Sequence, residues 1–258
     1  MKPLLELRGL GVCYNGAVAP ALEGVDLDLA AGERLAIIGE SGSGKSTLAR
    51  AILGLLPQTA RLQGTVAWPG LDHPARNGRD IGFVFQDPAS SLDPVMSVGD
   101  QVAEVAHANL DIDWGAARRL AVELLDRVKL PEPEALARAY PHQLSGGQKQ
   151  RVVIAAAIVA CPKLLIADEA TSALDTIVQA EIVALIRRLV AEDGMALLFV
   201  SHDLALAANL ADRIAVFRHG RMVEMAATAE LLARPRSDYS RALLAAHLGL
   251  KAHSGASR

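Results

Sequence analysis

Hydrophobic and polar positions alternate in short runs over the first third of the chain. Apolar runs rich in β-forming residues are separated by turn signals, a pattern typical of strands. These runs predict strands over residues 4–7, 25–29, 34–38, 64–68 and 81–85. One helix is predicted among them, over residues 45–55, because Pro57 ends it.

The period of the apolar residues changes to a helical one between residues 93 and 162. It predicts helices over residues 98–107, 114–128 and 148–159. After Pro162 the pattern predicts strands over residues 163–167, 196–200, 213–217 and 222–225, helices over residues 176–191 and 204–210, and a hairpin at His219 and Gly220. Strands and helices in strict succession favour a parallel sheet covered by helices. We therefore expect an α/β fold with a helical insertion.

A single domain is predicted over residues 1–250. Its α/β core and β subdomain take residues 1–92 and 162–228, and the helical insertion takes residues 93–161. Residues 229–250 are expected to form one or two C-terminal helices, and the polar residues 251–258 a flexible tail.

Composition excludes several classes of protein. The 258 residues carry 26 Lys and Arg against 29 Asp and Glu, so the net charge is −3, without the basic excess of a nucleic-acid-binding protein. The apolar runs are shorter than the roughly 18 to 20 residues of a membrane span, and the N-terminus lacks a secretory signal pattern. Cys13 and Cys161 have no second ligand at metal-binding spacing, so we expect two buried thiols in a reducing compartment, the cytoplasm.

Residues 39–47 match the pattern GxxxxGK[ST] between an apolar strand and a helix. Glycines let backbone N–H groups approach phosphates, Lys45 supplies a positive charge, Ser46 can bind Mg²⁺, and the helix N-terminus adds a partial positive charge. The sequence therefore predicts a nucleoside triphosphate site. It consists of Gly39, Glu40, Ser41, Gly42, Ser43, Gly44, Lys45, Ser46 and Thr47.

Two further segments carry chemistry. Asp168 and Glu169 end an apolar strand, where Asp168 can hold Mg²⁺ and Glu169 can activate a water molecule. Residues 144–148, with the sequence LSGGQ, precede a helix. Ser145, Gly146, Gly147 and Gln148 are either a helix cap with flexible glycines or a second anion half-site that is used across a dimer; we favour the half-site because the chain already has one phosphate loop.

Together these segments resemble an ATP-binding-cassette (ABC) ATPase over nearly the whole chain. The resemblance implies a P-loop ABC ATPase fold, with a RecA-like parallel-sheet core, an antiparallel β subdomain and an inserted α-helical subdomain. It also implies a head-to-tail dimer, in which each ATP lies between one chain's P-loop and its partner's LSGGQ.

The resemblance assigns roles to further residues. Gln86 matches a glutamine that contacts Mg²⁺ and the attacking water and faces the membrane partner. Residues 172–175, ending in Asp175, match a loop that couples the two sites of the dimer, and Tyr14 matches the aromatic residue that stacks on adenine. His202 matches a histidine that contacts the γ-phosphate, and its position after a predicted strand independently favours the ligand-binding edge of the sheet.

Residues 86–94, 140–144, 173–179 and 239–244 resemble the oligopeptide/dipeptide/nickel importer subfamily. This implies an ATPase subunit, peripheral at the cytoplasmic side of the cell membrane, that drives uptake of peptides or nickel through integral-membrane permeases. A second ABC ATPase subunit and an extracytoplasmic solute-binding protein complete the expected partners. Ala170 departs from the subfamily, which commonly has proline there, and the final residues lack the cysteine cluster of longer members, so no iron–sulfur cluster is expected.

A non-transport ABC ATPase, of the DNA-repair or translation-factor type, is the alternative. Only about 100 residues without sustained heptads separate the P-loop from LSGGQ, whereas the repair type has a long heptad insertion. Translation factors carry two cassettes, and this sequence shows one. The transported solute, a homodimer or heterodimer, the identity of the permeases and the activity of each composite site remain open.

Overall fold

A computed structural model describes residues 2–171 and 174–254. The chain forms two compact units. We call Met1–Asp72 with Leu198–Arg258 the terminal unit, and His73–Leu197 the central unit. The division falls inside β7 (Ala196–Ser201), all of whose residues are buried. No helix among the described residues is both long and apolar enough to cross a bilayer.

An antiparallel sheet opens the terminal unit. Its strands are β1 (Leu5–Tyr14), β2 (Leu22–Leu29) and β4 (Ala60–Ala67), with β1 in the middle. Buried apolar residues face each other across β1 and β2, as in the pairs Leu7–Leu27 and Val12–Leu22, and this alternation sets the register. The predicted strand 4–7 is only the start of β1. The strand continues because Gly9, with φ +56°, lies at a register shift rather than at a turn.

A second set of strands in the terminal unit leads into the helices. β3 (Arg34–Ile38) pairs parallel with β8 (Arg213–Arg218), which pairs antiparallel with β9 (Arg221–Ala227). His219 and Gly220 connect β8 to β9 with positive φ angles, the backbone that a tight hairpin needs. The helices of this unit are α1 (Lys45–Ile52), α8 (Leu204–Leu210), α9 (Thr228–Ala233) and α10 (Asp238–Ser254).

The central unit joins a parallel strand pair to helices. β5 (Ile81–Val84) pairs parallel with β6 (Leu164–Asp168). The helices are α2 (Pro88–Ser91), α3 (Val98–Asn109), α4 (Trp114–Arg127), α5 (Pro133–Leu136), α6 (Gly146–Ile158) and α7 (Thr176–Asp193), with a 3-10 turn at Pro141–Gln143. α6 lies so close to β5 that a Cβ at Gly82 would meet the Ala157 oxygen at 2.2 Å.

One expectation was wrong. Cys13 and Cys161 are both exposed, not buried. Val12 is buried, so the alternation of β1 turns Cys13 to the opposite face, and Cys161 lies in the turn after α6 with φ +49°. α10 continues to Ser254, into the residues expected to form a flexible tail, and residues 255–258 lie outside the described part, so the tail stays a prediction. The boundaries of the single predicted domain stay a prediction.

An ion pair clamps the start of β3 to the start of β8 within the terminal unit. The backbone N–H and Nε of Arg34 donate to Asp212 Oδ2 at 3.0 and 3.1 Å, and Arg34 Nη2 donates to Oδ1 at 2.5 Å. The Asp212 N–H donates in return to the Arg34 carbonyl at 2.7 Å. These contacts, above all the side-chain hydrogen bonds from Arg34, hold the pKa of the Asp212 carboxyl below its ordinary value.

We predict that Asp212→Asn lowers the free energy of unfolding at neutral pH by about 0.5–1 kcal/mol, since both side chains are partly exposed. A carboxyl whose pKa is lowered by folding stabilises the protein above its ordinary pKa and loses that effect as the pH falls. The difference between the two proteins should therefore shrink between about pH 5 and pH 3. Urea unfolding across this range measures it.

Asp72→Asn, at an exposed position of the same unit, is the control and should leave the stability unchanged at every pH. A pH-independent difference between Asp212→Asn and the original protein would contradict a role for the charge.

Candidate functional site

The loop between β3 and α1 is built around glycines with positive φ. Gly42 and Gly44 have φ angles of +78° and +102°, where residues with a Cβ are strained. A Cβ at Gly44 would also meet the Ala21 oxygen at 2.5 Å, so only glycine fits before the first turn of α1. The loop thus keeps its backbone accessible at the positive end of a helix.

Lys45 closes this loop on itself. Its side chain is buried, with 4% of its surface exposed, and Nζ donates to the carbonyl oxygens of Gly39 at 2.8 Å and Glu40 at 2.9 Å. The peptide groups that carry these two carbonyls are thus oriented by hydrogen bonds from a cation, not by the backbone hydrogen bonds of a sheet or helix. A positive charge is therefore held inside the loop.

Ser43 carries an orphaned polar atom in the same loop. The residue is 4% exposed, and its Oγ has no hydrogen-bond partner among the described residues. Its backbone is fixed, because its N–H donates to the Glu40 carbonyl and its own carbonyl accepts from Gly220. A buried hydroxyl without a partner costs free energy unless a bound group satisfies it, so the loop fits a polar ligand.

The other predicted residues of the terminal unit differ in their exposure and contacts. Tyr14 is half-buried, and its hydroxyl lies 3.3 Å from Thr47 Oγ1, which joins the end of β1 to α1. Glu40 and Ser41 are exposed, and Ser46 is half-buried in the first turn of α1. His202 is exposed and directly follows β7.

Gln86 and Glu169 come together in the central unit. Gln86 Nε2 donates to Glu169 Oε2 at 3.0 Å. Glu169 follows β6 with a positive φ of +46°, an uncommon backbone for a residue with a side chain, and Asp168 ends β6 with only 4% of its surface exposed. Such outliers cluster at functional sites.

The LSGGQ segment starts α6 with a reciprocal cap. Ser145 Oγ accepts from the Gln148 N–H at 3.3 Å, and Gln148 Oε1 accepts from the Ser145 N–H at 2.9 Å. Gly146 and Gly147 lie between them and allow a close approach of the neighbouring segment, since a Cβ at Gly147 would meet Val178 Cγ1 at 2.8 Å. This geometry is that of a helix cap. It does not prevent the binding of an anion, because Ser145 at the helix N-terminus is exposed.

Asp175 caps the neighbouring helix α7 in the same way. Its Oδ1 accepts from the N–H groups of Ile177 at 3.1 Å and Val178 at 3.0 Å. Gly146 lies close enough to Leu174 for a Cβ to touch it, so the starts of α6 and α7 pack together. Of the predicted coupling loop, Ser172 and Ala173 lie outside the described residues.

One contact of the loop could not be predicted from the sequence. The N–H of Glu40 donates to the hydroxyl of Tyr239, in α10, at 3.3 Å. Tyr239 belongs to a segment that the subfamily resemblance singled out, but 199 positions separate the two residues, and no spacing rule connects them.

A glycine-rich loop between a strand and a helix, together with an acidic strand end, defines this chain as a P-loop protein. The family model described as "ABC transporter" matches residues 22–172, more than half of the chain. The chain therefore belongs to the ABC transporter family, as the sequence predicted.

Several curated relatives are similar over nearly the whole chain. The peptidoglycan transport ATP-binding protein YejF of Agrobacterium fabrum is 43% identical over all of this chain, which spans 50% of that relative. The oligopeptide transport ATP-binding protein OppD of Bacillus subtilis is 43% identical over 94% of this chain and 71% of its own length. The chain thus spans half to about seven-tenths of these two proteins.

Solved structures of cassettes share the fold. The ATP-binding cassette MJ0796, in a dimeric post-hydrolysis state bound to ADP and Pi, has a TM-score of 0.75 and 30% identity, over 87% of this chain and 98% of that one. The cassette cbiO1 from Clostridium perfringens, part of the transporter complex cbiONQ, has the same TM-score and identity over 91% and 92%. These neighbours confirm the predicted fold class, a mixed α/β ABC cassette.

Proposed function

We propose that this chain binds ATP and Mg²⁺ and hydrolyses ATP as the motor subunit of an ABC importer. The loop after β3 carries this proposal, because it holds the buried cation of Lys45 and the orphaned hydroxyl of Ser43 at a helix N-terminus. Membership in the ABC transporter family supports the same reading.

Residues of the terminal unit would bind the nucleotide. The loop would bind the phosphates, although the N–H groups of Glu40 and Ser43 already donate to the Tyr239 hydroxyl and the Glu40 carbonyl. Its residues are Gly39, Glu40, Ser41, Gly42, Ser43, Gly44, Lys45, Ser46 and Thr47. The charge of Lys45 would contact the β- and γ-phosphates, and the ring of Tyr14 would stack on adenine. His202, at the end of β7, would contact the γ-phosphate.

The donor set suits Mg²⁺. Ser46 offers a hydroxyl, Gln86 an amide oxygen and Asp168 a carboxylate, and these are the hard oxygen ligands that this ion takes. The hydrogen bond to Glu169 uses the nitrogen of the Gln86 amide, so it does not occupy the oxygen. When bound, Mg²⁺ would neutralise charge on the phosphates.

Glu169 would act as the general base. Its carboxylate is oriented by the hydrogen bond from Gln86 Nε2, and the residue directly follows Asp168. In this position it would take the proton of the water that attacks the γ-phosphate.

Glu169→Gln is expected to keep ATP binding and to lower the hydrolysis rate about 10²- to 10⁴-fold, because the amide can accept from Gln86 but cannot take a proton. Equilibrium binding and steady-state phosphate release separate the two effects. Lys45→Ala is the matched contrast and should lose nucleotide affinity. Near-normal turnover of Glu169→Gln would remove Glu169 from the role of base.

A second ATPase subunit, identical or related, would complete each site. Ser145, Gly146, Gly147 and Gln148 would meet the phosphates bound by the partner's loop, and Asp175 would couple the two sites. The dimeric state of the similar cassette MJ0796 supports this arrangement.

Ser145→Asp separates the cap from the role across the dimer. Aspartate caps helices as well as serine, so the stability of the chain should be retained. Its charge would repel the triphosphate, so ATP hydrolysis by the assembled complex should fall about tenfold or more. The control is Asp113→Ser, the reverse exchange at the cap of α4, which should leave hydrolysis unchanged. Normal hydrolysis by Ser145→Asp would reduce Ser145 to a helix cap.

Integral-membrane permeases are the proposed partners, at the cytoplasmic side of the cell membrane. The central unit exposes Phe85 and Val95, with 48% and 82% of their surfaces accessible. The same unit has an open pocket of about 460 Å³, which is lined by Met96, Asp100, Trp114 and Arg118. Met96 directly follows Val95 in the sequence. Apolar side chains next to an ion pair are typical of a protein interface.

The names of the relatives support peptides as the solute class, since OppD is an oligopeptide transport protein and a relative in Brucella melitensis is a putative peptide import protein. Nickel, which the subfamily resemblance also allowed, has no support from these names. An extracytoplasmic binding protein would deliver the solute to the permeases.

The first experiment is a pull-down of the tagged chain from detergent-solubilised membranes, with mass spectrometry and an ATPase assay of the eluate. We expect permeases, a second cassette and vanadate-sensitive hydrolysis. Val95→Glu should lose the permeases while keeping ATP binding, since it places a charge on the exposed apolar surface. Recovery of ribosomes or DNA instead would overturn transport and support a non-transport ABC ATPase.

A further inference from the structure

The C-terminal helix α10 contacts the loop that we propose binds ATP. The hydroxyl of Tyr239 accepts from the Glu40 N–H at 3.3 Å and also interacts with the Glu40 carboxylate. The guanidinium of Arg218, at the end of β8, lies 4.8 Å from the centre of the Tyr239 ring. All these residues belong to the terminal unit. Burial raises the pKa of Tyr239, so its hydroxyl stays protonated at neutral pH.

The start of α10 is firmly anchored. The Glu224 carboxylate, on β9, accepts from the N–H groups of Arg236 at 2.8 Å and Ser237 at 2.9 Å. Ser237 Oγ then accepts from the N–H of Ser240, which is 1% exposed. Burial alone would raise the pKa of Glu224, but its hydrogen bonds from Ser240, Arg236 and Ser237 lower it. Tyr239 thus projects from a fixed helix turn.

The hydrogen bond with Tyr239 adds to two others that hold the backbone of Glu40. The Glu40 carbonyl accepts from Lys45 Nζ at 2.9 Å and from the Ser43 N–H at 3.2 Å. Its N–H has Tyr239 on the other side. Glu40 is exposed, and it lies between Gly39 and Gly42, whose backbones have more conformational freedom than those of other residues. Its orientation therefore depends on these hydrogen bonds to its backbone.

We propose that Tyr239 is a positioning residue for the nucleotide loop and acts through the backbone of Glu40. Holding this residue presets the carbonyls that orient Lys45, so the loop does not have to be ordered when phosphate binds. This role rests on the proposed ATP binding. It also gives the segment 239–244, which the importer resemblance singled out, a function inside the ATPase.

The test compares the full chain with Tyr239→Phe, which removes the hydroxyl and keeps the ring beneath Arg218. We expect MgATP, measured by calorimetry, to bind about two- to fivefold more weakly, the effect of one neutral hydrogen bond. The melting temperature should not change. In hydrogen–deuterium exchange, the Glu40 amide should exchange faster in the variant, and a purely structural role of α10 would not single out that amide.

Two further variants sharpen the result. Asp238→Asn, at the exposed neighbouring position of α10, should bind MgATP like the original protein. Glu40→Ala keeps the backbone N–H, so adding Tyr239→Phe to it should still weaken binding. Unchanged binding and exchange in Tyr239→Phe would overturn this role alone, whereas an original protein that binds no MgATP would overturn the proposed function and this role with it.

Discussion

The buried ammonium group of Lys45 is the interaction on which the candidate site depends. It binds the carbonyls of Gly39 and Glu40, and so turns the first peptides of the loop toward the inside. The loop leads into the start of α1, where the positive end of the helix dipole adds to the charge of the lysine. The positive φ of Gly44 allows this turn, and its missing Cβ leaves room for the Ala21 carbonyl. A loop held by a cation is complementary to an anion before any ligand arrives.

The central unit uses helix starts in a different way. Ser145 accepts from one N–H group at the start of α6, and Asp175 accepts from two at the start of α7, so these N–H groups already have partners in the same chain. A phosphate at Ser145 would have to share the Ser145 hydroxyl with the Gln148 N–H or replace that hydrogen bond. The same hydroxyl would then serve both the stability of the helix start and the binding of the ligand. In the terminal unit the loop before α1 has no such side-chain cap. The starts of α6 and α7 are thus stabilised by their own caps, whereas the start of α1 depends on its glycine-rich loop.

The sequence predicted the elements well because their apolar periods are strong and their punctuation is clear. Pro162 and the His219–Gly220 turn mark ends that the structure keeps nearly unchanged, whereas α1 ends at Ile52, three residues before the end predicted from Pro57. Short helices such as α2 and α5 were not predicted, since four residues cannot display a 3.6-residue period. The exposed cysteines show a second limit: a residue's type indicates how often it is buried, but its place in the fold decides, on a strand face for Cys13 and in a turn for Cys161. The contact of Tyr239 with Glu40 shows a third, because it depends on how distant segments pack.

The two candidate chemical centres also differ in how the backbone prepares them. The loop before α1 uses glycine wherever φ is positive, so its shape costs little free energy. Glu169 adopts φ +46° although a glycine or asparagine would fit that backbone better, and such strained positions are frequent at functional sites. Gln86 meets this carboxylate with the nitrogen of its amide, which fixes the oxygen Oε2 and leaves Oε1 to other partners. One oxygen of this carboxylate is thus held by a neutral donor, a geometry that suits the general base we propose.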